Sequence, residues 1–244
     1  DSSMKKLLLA AAAVAALGSV PTIASAELAF NVGAATEYRY RGIAQSRFKP
    51  AFQGGADFSA GGFYVGTWAS TIKWIKDAGG DANYELDLYG GYKGEIGGVS
   101  YDVGMLRYLY PGAKLAVSPN TTEIYVAVSA GGFTVKYSHA TTNLFGFANS
   151  DKSGYLDVSA SFEIADGWSV APHIGYQKVK GAGNDIYSYT DYALTLSKDF
   201  SGLVVSAALI GASVDKIGGV PTYVSPSGKN LGRNSLVVGL KYNF

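Results

Sequence analysis

The sequence predicts an all-β protein, a single antiparallel up-and-down transmembrane β-barrel of about 12 strands. Three observations predict this fold class. Apolar and polar residues alternate with a period of two along most of the chain. The alternating stretches are even in number and are joined by short turns and longer loops in strict succession. The composition, with 32 Gly, 18 Tyr and no Cys, suits a β protein that is held together without disulfides.

Residues 1–26 predict a secretory signal peptide, with residues 1–3 as an extra segment ahead of Met4. Lys5 and Lys6 form a short positive region, an apolar run covers 7–17, and Ala24-Ser25-Ala26 is a small-residue cleavage site. The apolar run is too short for a membrane anchor. The barrel is therefore predicted over residues 27–244. Its acidic and basic residues balance, so the positive excess that a nucleic-acid partner requires is absent.

The first predicted strand, Leu28 to Gly42, is the longest and the most informative. One face carries apolar residues from Leu28 to Tyr40, and the other ends in Glu37, Arg39 and Arg41. Helical spacing would scatter these charges around the whole circumference. At about 3.4 Å per residue, the stretch is long enough for a tilted strand to cross a bilayer. We expect a wall with lipid outside and water inside.

The same alternation predicts eleven further strands, over 50–60, 63–74, 83–93, 99–110, 122–130, 133–142, 154–164, 168–179, 189–200, 203–215 and 234–244. Short turns follow the even strands and longer loops follow the odd ones, as in outer-membrane barrels. After residue 26 no apolar stretch approaches the ~20 residues that a membrane helix needs. A membrane protein with this sequence must then be a closed barrel, which satisfies every backbone hydrogen bond in lipid.

Several motifs resemble those of the TorF family of porin-like proteins, also called the Gcw_chp family. They are the stretches 31–46 (NVGAATEYRYRGIAQS), 50–55, 62–70, 85–89, 101–104, 108–112 and 122–125. One departure is Thr36-Glu37, where Ser-Asp would be typical of the family. The resemblance implies a proteobacterial outer-membrane barrel, with no established catalytic or binding residues. The terminal Phe244, preceded by alternating apolar residues, also resembles the signal read by the barrel-assembly machinery.

Catalysis and metal binding find little support in the sequence. A hydrolase would need a Ser or Thr within reach of a His, and the histidines are His139 and His173. Neither lies in a recognisable nucleophile motif, and their separation does not match the ligand spacing of a transition-metal site. We therefore predict no enzyme activity and no cofactor.

The inward-facing charges are the stronger functional signal. The period-two pattern predicts these pore-lining residues: Glu37, Arg39, Arg41, Asp57, Glu85, Asp87, Lys93, Asp102, Glu123, Asp157, Asp191 and Lys241. Lys73 and Glu163 are assigned to the same face, so acids outnumber bases inside. Alternatively, these charges pair across strands and fill the interior, as happens in small barrels.

The sequence thus predicts a bacterial outer-membrane channel for passive passage of small hydrophilic solutes or ions. The expected partners are outer-membrane lipid and lipopolysaccharide, the barrel-assembly machinery during biogenesis, and a small hydrophilic solute. A monomer is favoured. One alternative is a structural or adhesive barrel with a blocked lumen, and a membrane-embedded hydrolase is a less favoured one.

Overall fold

The computed structural model describes residues 26–244, so the predicted signal peptide falls almost wholly outside the described residues. The strands are β1 (Glu27–Ala35), β2 (Arg39–Tyr40), β3 (Ile43–Ala44), β4 (Ala51–Ala60), β5 (Phe63–Thr71), β6 (Tyr84–Ile96), β7 (Val99–Leu109), β8 (Thr121–Ala130), β9 (Phe133–Ala140), β10 (Gly154–Ala160), β11 (Phe162–Ala165), β12 (Trp168–Lys178), β13 (Tyr189–Phe200), β14 (Leu203–Ser213), β15 (Lys216–Ile217), β16 (Val220–Pro221) and β17 (Ser235–Asn243). The helices are α1 (Trp74–Asp77) and a 3₁₀ turn, η1 (Asp185–Tyr187). Among the described residues no helix combines the length and apolar character needed to cross a membrane.

The described chain forms a closed antiparallel barrel of twelve strands, which confirms the predicted fold class. Strands β10 and β11 act as one barrel strand that is interrupted at Ser161. β1 pairs with both β4 and β17, and β12 pairs with β10, so the sheet has no free edge. Closure is what removes unpaired backbone groups from the rim of a sheet.

The two ends of the barrel differ as the sequence predicts. Five tight turns lie at one end together with β1's start and β17's end, and most of them contain glycines with positive φ, as at Gly131 and Gly132. We call this the short-turn end. The other end carries the segments 36–50, 72–83, 110–120, 141–153, 179–188 and 214–234, and we call it the long-loop end.

The exterior of the barrel is an apolar band between two groups of aromatic residues. The band itself is aliphatic, with exposed residues such as Val65, Val103, Val126 and Leu194. Exposed aromatic residues near the short-turn end are Phe63, Phe133, Phe162, Trp168, Phe200 and Phe244, and those near the long-loop end are Phe52, Tyr84, Tyr176 and Tyr192. Aromatic girdles flanking an apolar band are the pattern of barrels that sit in a bilayer.

Glycines within the strands make room for tyrosines that lie along the inner wall. Tyr64 lies opposite Gly91, and Tyr125 lies opposite Gly104. A Cβ atom at Gly91 would come 2.6 Å from the Tyr64 hydroxyl oxygen, and one at Gly104 would come 2.5 Å from that of Tyr125. Only glycine therefore permits these rings to lie flat across the neighbouring strand.

The predicted single strand from Leu28 to Gly42 is wrong in its second half. β1 ends at Ala35, and the chain then turns into the barrel interior and forms a hairpin of β2 and β3. The hairpin turns at Arg41 and Gly42, whose φ angles are 45° and 77°. A Cβ at Gly42 would lie 2.6 Å from Asp191 Cβ, so glycine is required there. Because the hairpin is itself β structure, the period-two pattern continues through the turn and conceals it.

The apolar band leads to a prediction about substitution at two depths. Val126 lies in the middle of β8 opposite Val103, whereas Leu88 lies opposite the exposed Arg107, near the edge of the band. We expect Val126→Arg to destabilise the barrel by about 2–4 kcal/mol and Leu88→Arg by about 0–1 kcal/mol. The free energy of unfolding measured during refolding into lipid vesicles tests this. Equal costs for the two variants would contradict a bilayer centred on Val126.

Candidate functional site

The candidate site is the barrel interior at the long-loop end, where residues 37–46 fold across the bore. We call this segment the inner hairpin. It is tied to itself by the Tyr38 backbone N–H, which donates to Ser46 Oγ at 2.8 Å. It is tied to the 214–234 segment by the Ala44 N–H, which donates to the Leu231 carbonyl at 2.9 Å. Ile43 and Ala44 pack with Tyr189 and Leu231 on that side.

Arg41, at the tip of the inner hairpin, reaches the opposite wall of the barrel. Its guanidinium donates to Glu123 Oε1 and Oε2 at 3.0 and 2.7 Å, and to Gln177 Oε1 at 2.7 Å. It also lies over the Tyr155 ring, 4.1 Å from the centroid. The side chains of Arg41 and Glu123 are only 7% and 2% exposed. A bidentate, buried pair of this kind fixes the position of the hairpin across the bore.

Arg39 anchors the base of the same hairpin. Its Nη1 donates to the carbonyls of Gly42 and Leu231 at 2.7 and 3.0 Å. Its Nη2 donates to Glu37 Oε1 at 3.2 Å and to Ser235 Oγ at 2.7 Å. Every one of these contacts is buried or part-buried. Arg39 therefore supplies hydrogen bonds to two backbone carbonyls and to two side chains.

Two tyrosine hydroxyls bind one buried carboxylate on β6. Tyr38 and Tyr110 donate to Glu85 Oε1 and Oε2 at 2.8 and 2.6 Å. Tyr38 belongs to the inner hairpin, and its pKa lies well above the usual value because of burial and, next, because of the nearby Glu85 carboxylate. Tyr38 therefore stays a neutral hydrogen-bond donor, and the contact joins the hairpin to β6.

A second set of charges lies nearer the short-turn end. Lys93 is directly opposite Asp102, and Lys136 is directly opposite Asp157. Opposite charges at such positions attract each other across the strands. Lys136 also lies 4.1 Å from the centroid of the Tyr125 ring. This half of the interior is a belt of alternating charge.

His173 lies between two carboxylates on the neighbouring strands. Its Nδ1 is 3.0 Å from Asp157 Oδ2, and its Nε2 is 2.7 Å from Asp191 Oδ2. Tyr155 donates to Asp191 Oδ1 at 2.8 Å. No hydrogen bond of His173 within residues 26–244 goes to a serine or threonine, so this cluster lacks the paired nucleophile of a hydrolase. The described residues also contain no group of three or more His, Cys, Asp or Glu side chains placed to hold a metal ion.

The predicted pore-lining residues separate into two classes of burial. The buried ones are Glu37, Arg39, Arg41, Glu85, Asp87, Asp102, Glu123 and Asp191, and the partly exposed ones are Asp57, Lys93, Asp157 and Lys241. Nine of them lie on barrel strands, and Glu37, Arg39 and Arg41 lie on the inner hairpin instead of the predicted first strand. Their role in lining an open path stays a prediction.

One charged residue outside that set, Lys73, is not where the pattern places it. Lys73 is exposed in the 72–83 segment because β5 already ends at Thr71. Glu163, by contrast, keeps the predicted facing, because it lies opposite the buried Ser169, and it is exposed because β11 ends at Ala165 at the short-turn end. Lys136 and Gln177 also contact interior groups but are not among the predicted pore-lining residues, although the period-two pattern of β9 places Lys136 on the inner face.

The comparisons with known proteins place the chain in a family and a fold. A family model described as a bacterial protein of unknown function (Gcw_chp) matches residues 21–244. The chain belongs to the Gcw_chp family. It is similar to the solved structure of the NanC porin, with a TM-score of 0.57 and 14% sequence identity over 88% of this chain and 99% of that one. An outer-membrane channel of Pseudomonas putida F1 (COG4313) gives a TM-score of 0.46 and 11% identity over 92% and 96%. No curated protein matches the sequence.

The buried Arg41 contact predicts a large loss of stability when it is removed. Arg41→Ala leaves the Glu123 carboxylate buried without its cation, and we expect a cost of about 3–5 kcal/mol. The matched control is Arg47→Ala, because the Arg47 side chain is 42% exposed in its ion pair with Asp77, and its loss should cost about 0–1 kcal/mol. Denaturant unfolding in detergent micelles measures both. A loss at Arg41 no larger than that at Arg47 would refute the anchoring role.

Proposed function

We propose that this protein is an outer-membrane channel for passive passage of small hydrophilic solutes or ions, narrowed by the inner hairpin. The observation that carries the proposal is the inversion of polarity across one wall. The exterior is apolar between aromatic girdles, while charged and hydrogen-bonding side chains occupy the interior along its length. Membrane barrels have polar interiors where the interior contacts water, a solute or polar groups of the protein itself. The fold similarity to the NanC porin supports the same function.

The charges of the interior predict a weak preference for cations. The acidic residues there are Glu37, Asp57, Glu85, Asp87, Asp102, Glu123, Asp157 and Asp191. The basic ones are Arg39, Arg41, Lys93, Lys136 and Lys241. Low-dielectric walls concentrate the field of these charges in the bore. The two arginines of the inner hairpin partly offset the acidic excess where the hairpin crosses the bore.

The conductance of the purified protein in planar bilayers tests the channel, and reversal potential under a salt gradient tests its selectivity. We expect measurable conductance with a weak cation preference. Arg39→Ser with Arg41→Ser should increase that preference, because two positive charges leave the bore, Glu37 and Glu123 lose their cations, and the hairpin tip loses its anchor. The control double variant, Lys49→Ser with Lys229→Ser, removes two exposed loop charges and should shift the reversal potential much less. Equal shifts in the two double variants would mean that the hairpin does not set selectivity.

A barrel with a blocked lumen is the second candidate, and one specific observation favours it. The inner hairpin is buried and bound to β8 and β12 on the far wall, as well as to the 214–234 segment. A protein closed in this way would act through its long-loop end rather than through its bore. Correctly folded protein that inserts into bilayers without any conductance would support this candidate and refute the channel.

The proposed orientation places the long-loop end outside the cell and the short-turn end in the periplasm. Within the 214–234 segment, Ser225 is buried, whereas Gly218 and Gly219 form an exposed turn between β15 and β16. An epitope inserted at Gly218 should be labelled on intact cells. One inserted at the Gly131 turn should be labelled only after permeabilisation. The reverse pattern would invert the orientation.

A further inference from the structure

Three interior residues lie side by side next to the inner hairpin. Trp68 on β5 is the direct partner of Asp87 on β6, and Asp87 is the direct partner of Tyr108 on β7. Directly opposed residues of antiparallel strands have Cβ atoms about 4.5–5.5 Å apart. The carboxylate is thus flanked by an aromatic side chain on each neighbouring strand.

The inner hairpin adds further aromatic rings at the same place. The Tyr38 ring meets the Trp68 ring edge-on at 5.5 Å between centroids, and the Tyr40 ring meets the Tyr108 ring at 5.6 Å. The Tyr40 and Tyr108 hydroxyls are hydrogen-bonded at 2.6 Å. The neighbouring aromatic residues are therefore held in place by one another and do not depend on Asp87.

Asp87 itself is left without a partner. Its side chain is buried, with 8% of its surface exposed, and Oδ1 has no hydrogen-bond donor within reach. Each of the other buried carboxylates in residues 26–244 has at least one donor: Arg39 for Glu37, Tyr38 and Tyr110 for Glu85, Tyr64 for Asp102, Arg41 for Glu123, and Tyr155 for Asp191. Glu37 Oε2 also lacks a donor, but Arg39 at Oε1 supplies a cation to that carboxylate. An uncompensated buried carboxylate is costly, so a site that keeps one is suited to a cation from outside the chain.

The chemistry of the surroundings indicates which kind of cation. No group of three or more carboxylate or histidine side chains in the described residues is placed to hold a metal ion, so chelation of a metal is not what this site offers. One carboxylate beside tryptophan and tyrosine rings matches an organic ammonium group. Such a cation gains from the ring quadrupole as well as from the negative charge, and it sheds water more readily than a metal ion.

We propose that Trp68, Asp87 and Tyr108 form a binding site for a protonated amine inside the lumen. This inference rests on the proposed channel function, and it names the class of solute that would pause beneath the inner hairpin. The carboxylate would accept hydrogen bonds from the ammonium N–H groups, and the rings would pack on the adjacent methylene groups.

Equilibrium binding in detergent micelles tests the site without requiring conductance. The full chain has three tryptophans, so Trp74→Phe with Trp168→Phe leaves Trp68 as a reporter beside Asp87. Titration with ethylammonium chloride should change Trp68 fluorescence saturably, and sodium chloride at equal ionic strength should not. Calorimetric titration of the unmodified chain provides the same measurement without the Trp substitutions.

Asp87→Asn should weaken ethylammonium binding by at least about tenfold, equivalent to ~1.4 kcal/mol. Asp81→Asn is the matched control, because the Asp81 side chain lies in the 72–83 segment, is 61% exposed and pairs with Lys114, and its loss should leave binding unchanged. Absence of saturable binding to the unmodified chain, or equal binding by the Asp87→Asn variant, would overturn the site.

Conductance measured in parallel separates the two proposals. Ethylammonium binding by a barrel that does not conduct sodium chloride would refute the channel and leave the binding site standing. Conductance of sodium chloride without ethylammonium binding would refute the binding site and leave the channel standing.

Discussion

The contact between Arg41 and Glu123 holds the tip of the inner hairpin across the barrel interior, and the arrangement of the other interior side chains depends on it. It joins the tip of a hairpin that enters between β1 and β4 to a strand on the opposite side of the barrel. Both partners are removed from water, so the pair is stable only because its hydrogen bonds are bidentate and supplemented by Gln177. Without this contact the hairpin would keep its ties through Tyr38 and Ala44, but the Glu123 carboxylate would be buried without its cation.

Barrel closure is the wider constraint that makes such an interior possible. Because every barrel strand has two paired neighbours, backbone polar groups are satisfied within the wall, and side chains are free to be apolar outside and charged inside. The interior charges are then compensated by other interior side chains. Lys136 lies opposite Asp157, and the Tyr64 hydroxyl donates to Asp102. Asp87 is the buried carboxylate that this arrangement leaves uncompensated.

The inner hairpin gives the bore two unlike halves. Toward the long-loop end, arginine, glutamate and tyrosine side chains are buried and hydrogen-bonded in fixed positions. Toward the short-turn end, lysines and aspartates such as Lys93 and Asp57 are partly exposed. In the proposed channel, a solute entering from the long-loop side would meet the hydrogen-bonded half first. The charges of the other half are partly exposed and lie opposite or beside partners on neighbouring strands, as Lys93 does opposite Asp102.

The sequence by itself determined the class of fold, the number of strands and the orientation of side chains on most of them. These properties follow from local rules, because a residue's face in a strand depends only on its parity, as for Val126 and Glu123 on β8. The path of residues 36–49 was decided only by the tertiary structure, since a hairpin and a straight strand share the same period. The partners of Arg41, 82 and 136 residues away in sequence, were likewise beyond local pattern. The same holds for Asp87: its alternation predicts an inward side chain, but only the packed barrel shows that no donor reaches it.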